Sequence, residues 1–364
     1  MSDQGGVTSG DDYVAPASPP PRRIRNRILK FVGILVVVAL LYYSLFVLLP
    51  SELDWATVWA DLQALTGGQI AALVASGLLA IVALGWTSKA SLPGLSLYQG
   101  TESSATSQLS AFVFPPPADM AIRFAMYRTY GFSDEQSAVA VLIAMVARYA
   151  MVVVMPLIGM ALVIIAGLAD WSALWWFLGI GTVFGLLLWV VLRVVHSDAA
   201  AHRVGAWLQR VAARVIHWFH RTPPTDLEDS VVDFGRRTQN TLDRNGRSLV
   251  ISNVGWGLSN ALVMLLCLRF SSVSSDSVPL AAVVLTAGLM MAINMLPIPG
   301  KDALAVSWIA TILGLTSSTD ISNLGTAMLL YRLVTWILPM PVGAVFFLLW
   351  RSRVRRNKAA ETAA

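Results

Sequence analysis

The chain has 364 residues, of which 56% are hydrophobic and 13% charged, with a mean hydropathy of +0.66. A soluble domain of this size cannot hide that much apolar surface, so composition points to a polytopic α-helical membrane protein. The net charge of +5 matters less than where the charges sit, and the single cysteine, Cys267, excludes an intrachain disulfide.

Residues 1–27 begin with a Gly-, Ser-, Asp- and Pro-rich stretch without an apolar signal core, and are expected to form a disordered cytoplasmic tail. A membrane domain is expected over residues 28–350. Spanning hydrocarbon takes about 20 apolar residues as a helix. Candidate spans are Ile28–Leu49, Gln69–Trp86, Ser137–Leu168, Ser172–Val194, Ser248–Leu268 and Thr326–Trp350. The third is over-long and is expected to begin as an interfacial helix. Two further apolar regions, roughly 98–133 and 279–316, are broken by proline.

Basic residues orient the chain. Arg22, Arg23, Arg25, Arg27 and Lys30 flank the first span, and Arg351, Arg353, Arg355, Arg356 and Lys358 follow the last. The 195–247 loop carries eight arginines, whereas 51–68 has Glu52, Asp54 and Asp61 and no Lys or Arg. The positive-inside rule then puts both termini and the long loop in the cytoplasm, in a cell membrane. Arg269 is the misfit, at an external end, and is expected to snorkel. Lys89 and Arg128 read as interfacial anchors, and Glu102 as a polar group at the cytoplasmic mouth. Within the loop, Val204, Leu208, Val211, Val215 and Phe219 share one helical face beside Arg203, Arg210 and Arg214. That pattern suits a helix on an anionic membrane surface or one packed on the spans. With six spans and these flanks, each proline-broken region must enter and leave on one side as a re-entrant hairpin. The alternative is eight spans, with one region crossing twice as short helices.

The two proline-broken regions match each other. Pro116 pairs with Pro299, Asp119 with Asp302 and Gly131 with Gly314, all at an offset of 183; Arg148 pairs with Arg332 and Gly159 with Gly343 at 184. The repeats cover about 69–168 and 248–350. An odd number of spans separates the hairpin tips, so the repeats are expected to be inverted, as in many transporters. The tips, Pro115, Pro116 and Pro117 in one and Pro297, Pro299 and Gly300 in the other, are expected to meet near the midplane. There the chain places six ionisable groups: Asp119, Arg123, Arg148, Lys301, Asp302 and Arg332. A charge at the bilayer centre costs roughly 2.5–3.5 kcal/mol even on the lenient scale, so these groups need partners or a polar cavity. Arginine's fork suits phosphate oxygens, and a helix starting at each tip would point its positive end at an anion. The six are therefore candidate substrate-binding residues, with fixed ion pairing, as of Asp119 with Arg123 at i, i+4, the competing role.

No soluble-type catalytic motif stands out. His196, His202, His217 and His220 lie in the loop with no Cys or acidic ligand beside His217 and His220, and no Walker-type loop is present. No enzyme activity, cofactor, metal or nucleic-acid partner is expected.

The turn Pro115-Pro116-Pro117-Ala118-Asp119 with Arg123 and then Arg148, followed by Leu296-Pro297-Ile298-Pro299-Gly300-Lys301-Asp302 and then Arg332, resembles the transmembrane, flippase-like region of the lysylphosphatidylglycerol synthase family. The resemblance covers roughly 28–350. Ala118-Asp119 stands where the family has Gly-Glu, and the second turn has one glycine and a lysine where the family has several glycines. The resemblance implies translocation of an anionic or headgroup-modified lipid, such as an aminoacylated phospholipid or a polyprenyl-phosphate-linked sugar. It does not imply aminoacyl transfer, because residues 351–364 are expected to be a basic tail and not that catalytic domain. A different class of role is a non-transporting membrane partner, holding a cell-envelope glycosyltransferase or lipid synthase through the basic loop. A membrane-embedded transferase is a third, with Asp119 or Asp302 as its base.

Overall fold

The computed structural model describes residues 59–60, 63–113, 118–168, 227–274, 276, 278–294 and 301–363, with isolated positions between 175 and 206. The first expected span, most of the fourth, most of the amphipathic loop helix and both proline tips lie outside the described residues. Those described form helices and turns without a strand.

Helix α1, Gly67–Ser91, opens on a capping box in which Thr66 and Gln69 satisfy each other's backbone donors. Helix α2, Leu97–Val113, and helix α3, Ala118–Thr129, are the two arms of the first proline-broken region, and they pack on each other. Helix α4, Asp134–Ile165, starts at a second capping box, Ser133 with Gln136, and runs unbroken through Pro156. Helix α5, Leu227–Phe270, carries the next span at its C-terminal end. Helices α6, Leu280–Ile293, and α7, Lys301–Ile312, are the arms of the second region. Helix α8, Ser318–Arg332, continues through a π turn, Leu333–Ile337, into α9, Pro339–Ala363. Pro339 offers no N–H and crowds the carbonyl four residues back; the wider turn, closed by Leu338 N–H to the Leu333 carbonyl at 2.9 Å, accommodates it.

Among the described residues, four stretches are long and apolar enough to cross a membrane: Gly67–Ser91, Asp134–Ile165, Gly235–Phe270 and Thr319–Asn357. Three of the six spans expected from sequence fall within them, and a fourth, Ser137–Leu168, overlaps Asp134–Ile165. Large apolar side chains such as Leu79, Ile158, Leu258 and Leu348 stay exposed on them, as a lipid-facing surface requires.

The two halves share fine structure. Helix α3 ends with Phe132 N–H bonded to the Tyr127 carbonyl, and α7 with Leu315 N–H bonded to the Ala310 carbonyl. Gly131 (φ +96°) and Gly314 (φ +66°) supply the left-handed residue that this helix stop needs. Donors, acceptors and glycines all correspond at an offset of 183. The next helix starts from Ser133 in one half and Ser317 in the other, an offset of 184. The extra residue is therefore taken up in the second turn, between Leu315 and Ser317.

The halves are also interleaved. A Cβ added to Gly159 on α4 would lie 2.4 Å from Leu285 Cα on α6, and one added to Gly343 on α9 would lie 2.4 Å from the Ala105 carbonyl on α2. These matched glycines each let a long helix press onto the first arm of the opposite half. The principal core, including Met155, Met160, Met264, Cys267, Met290 and Tyr331, lies where α4, α5, α6 and α8 converge. Arg269 does not snorkel. Its guanidinium donates to the carbonyls of Val273 at 2.9 Å and Val278 at 2.8 Å, tying down the turn into α6.

Candidate functional site

A cavity of about 480 Å³ opens between α1, α2, α3, α4, α5, α6 and the π turn. Its walls are mostly apolar, from residues such as Ala80, Leu84, Val141, Val152 and Val334. Three of the six candidate residues, Asp119, Arg123 and Arg148, line it together. Asp119 stands in the first turn of α3, where a carboxylate complements the positive end of the helix. Arg123 follows one turn later, 7% exposed, and gives its guanidinium to Ser107 Oγ on α2 at 2.8 Å. Asp119 and Arg123 therefore form no ion pair, although their spacing permits one. The hydroxyl of α2, brought close by the α2–α3 packing, takes the arginine instead.

Arg148 sits near the middle of α4, in a helix long and apolar enough to span a membrane. It makes no hydrogen bond or ion pair among the described residues. The charges nearest it are those of Arg123 and Asp119. The lining thus carries two guanidiniums and one carboxylate, a net positive surface in a low-dielectric wall.

The opposite wall is neutral and polar. Asn260 and Trp256 come from α5, Asn294 follows α6, and Tyr331 and Trp336 come from the last span. Tyr331 donates to Asn260 Oδ1 at 3.1 Å, and Asn260 donates to the Trp256 carbonyl at 2.9 Å, which fixes that amide. None of these neutral residues belongs to the sequence-derived set. A polar residue every helical turn or so in α5 (Ser252, Asn253, Ser259, Asn260) was the available signal.

Arg332 does not line the cavity. It ends α8 and lies over the Trp336 ring, 5.0 Å from its centroid, so it acts behind a residue that does line it. Lys301 and Asp302 open α7, but their side chains lie outside the described residues, as do the six tip residues. No cluster of three His, Cys, Asp or Glu able to hold a metal occurs among the described residues.

A second polar centre lies away from the cavity. Glu102 on α2 does not sit at an open mouth: it is 0% exposed. Its carboxylate pairs with Arg353 of α9 and accepts the Tyr130 hydroxyl at 2.7 Å. Arg353 also reaches the Tyr98 hydroxyl at 3.3 Å and covers that ring. Burial and the neighbouring carboxylate raise the Tyr130 phenol far above its ordinary range, so it remains a donor.

No protein-family model matches this chain, and no curated protein does.

Proposed function

We propose that this chain moves an anionic or headgroup-modified lipid across the cell membrane, as a flippase or scramblase. The observation that carries the reading is Arg148: a guanidinium in mid-span, facing a cavity, without a hydrogen bond or ion pair among the described residues. A cation kept so at a cost of roughly 2.5–3.5 kcal/mol implies a ligand that repays it. Arg123, one helix away, supplies a second guanidinium, and the pair suits a phosphate ester. The cavity size fits a headgroup but not a whole lipid, so the acyl or prenyl tails stay in hydrocarbon.

The matched helix stops at Gly131 and Gly314, and the crossed contacts of Gly159 and Gly343, support two inverted repeats. On this reading the proline-broken regions are re-entrant hairpins among six spans, with both termini cytoplasmic. Each half can rock on the other about the shared cavity. The likeness of the two proline turns to the flippase-like region of lysylphosphatidylglycerol synthases agrees with it.

The test is movement of fluorescent phosphatidylglycerol between the leaflets of proteoliposomes. Arg148→Ala is expected to abolish it and Arg332→Ala, acting through Trp336, to weaken it. A rate unchanged in folded Arg148→Ala protein would overturn the reading.

A further inference from the structure

The walls of the cavity differ in kind. Among the described residues, its charged lining is confined to Asp119, Arg123 and Arg148 of α3 and α4. The wall formed by α5, α6 and the last span presents neither a cation nor a carboxylate. It is not apolar either. The Asn260 side chain, in a residue only 6% exposed, is fixed at both ends: its amide donates to the Trp256 carbonyl and its oxygen accepts the Tyr331 hydroxyl. A side-chain amide has two N–H donors and an oxygen with two lone pairs, and a phenol oxygen can accept while it donates. Asn260 therefore keeps a donor and an acceptor, and Tyr331 an acceptor, beyond the bonds that orient them.

The π turn adds a backbone acceptor. Pro339 brings no N–H to the Val334 carbonyl, and Leu338 N–H goes to Leu333 instead. Gly77 of α1 puts no side chain over that carbonyl; an added Cβ would lie 3.3 Å from it. Val334 and Gly77 both line the cavity. Trp256 and Trp336 supply aromatic surface, whose electron-rich faces attract the partly positive C–H groups of a polyol.

A hydroxyl donates and accepts and carries no charge, so it matches this wall. An ammonium headgroup does not: among the described residues its one acidic partner is Asp119, a single turn from Arg123 on the other wall. Two guanidiniums and one carboxylate also sum to one positive charge, which one phosphodiester neutralises. A zwitterionic headgroup would leave that charge uncompensated out of water.

We propose that the headgroup this cavity takes is an uncharged polyol on a phosphodiester. Arg123 and Arg148 take the phosphate, and the wall of Asn260, Tyr331 and Val334 takes the hydroxyls. The inference rests on the lipid-moving function proposed above and names its substrate class. Glycerol and a sugar or inositol ring share this chemistry; an aminoacylated headgroup does not.

Two measurements on the full chain test this. The first needs no lipid movement. The Tm of purified protein in detergent is followed with dihexanoyl phosphatidylglycerol, phosphatidylinositol, phosphatidylethanolamine or phosphatidylpropanol. The last keeps the phosphate and the three-carbon headgroup of phosphatidylglycerol and lacks only the hydroxyls. The glycerol and inositol lipids are expected to raise Tm at concentrations about tenfold below phosphatidylpropanol, the worth of one or two hydrogen bonds. Asn260→Leu is expected to bring these concentrations together, and Tyr331→Phe, which keeps the ring, to do so in part. Equal wild-type responses to phosphatidylglycerol and phosphatidylpropanol overturn the proposal, as does a stronger response to phosphatidylethanolamine. A stronger response to inositol than to glycerol, or the reverse, tells a ring from an open chain, and either supports it.

The second measurement follows the same headgroups on fluorescent tails in proteoliposomes. Wild-type protein is expected to move phosphatidylglycerol about tenfold faster than phosphatidylpropanol. Equal rates overturn the polyol preference and leave the lipid-moving function standing. Absence of any movement overturns that function, and the first measurement still decides what the cavity binds.

Discussion

Replacing Arg148 by methionine separates a binding arginine from a structural one. Methionine has a similar length and flexibility and fills the same irregular space, while the charge disappears. Arg148 has no hydrogen bond or ion pair among the described residues, so the substitution leaves no orphaned partner there. What it removes is the cost of holding a guanidinium in mid-span, about 2.5–3.5 kcal/mol as an upper figure that water in the cavity reduces. It also relieves repulsion from Arg123, which faces the same cavity. The expected result is a gain in stability of about 1–3 kcal/mol together with loss of lipid movement, the trade expected where a site holds strain for function. Reversible unfolding in mixed detergent micelles measures the first and the proteoliposome assay the second. A loss of more than about 1 kcal/mol would show that Arg148 holds the fold together and would refute the reasoning.

Other outcomes follow from the geometry. Gly159→Ala and Gly343→Ala each drive a Cβ to 2.4 Å from backbone atoms of a facing helix, so each should destabilise by about 1–3 kcal/mol in the same unfolding assay. Gly246→Ala, with nothing within 4 Å of the new carbon on α5, should instead stabilise by about 0.5–1 kcal/mol. Gly131→Ala and Gly314→Ala place a side chain at positive φ in matching helix stops and should each cost about 1–2 kcal/mol; markedly unequal losses would argue against equivalent turns. Trp336→Ala removes the ring under Arg332 and should slow lipid movement even though Arg332 itself does not line the cavity.

The long apolar runs were legible because a membrane span is a statistical feature of some twenty residues at once. The expected boundaries at Gln69–Trp86 and Ser137–Leu168 fall on or beside α1 and α4, and the capping boxes at Thr66 and Ser133 account for the extra residues at their starts. The matched helix stops were legible through Gly131 and Gly314, whose conformational requirement only glycine meets cheaply. The single-residue change in offset was visible too, but its place in the turn before Ser317 was not. Within the site, spacing correctly placed Asp119 and Arg123 on one face but could not reveal that Ser107 outcompetes Asp119, because that contact depends on how α2 meets α3. Glu102 was misplaced for the same reason. Its partner lies 251 residues away on a helix whose arginines all read alike as a basic flank, and local pattern cannot tell which one turns inward. Arg269 reads as a misplaced charge until the turn that folds back over it supplies two carbonyls.

The crossed glycine contacts also set a timetable for synthesis. Gly159 cannot be covered until Leu285 exists, 126 residues later, and Ala105 waits 238 residues for Gly343. At roughly 5–20 residues per second on the ribosome, those gaps last about 6–25 s and 12–48 s. Throughout that interval the first half is in the bilayer with its closest-fitting grooves facing lipid. A truncated transcript would therefore release a half-protein that has inserted but has nothing to close against, a natural target for membrane quality control. By the same logic, two halves made as separate chains should each be short-lived alone and should survive together.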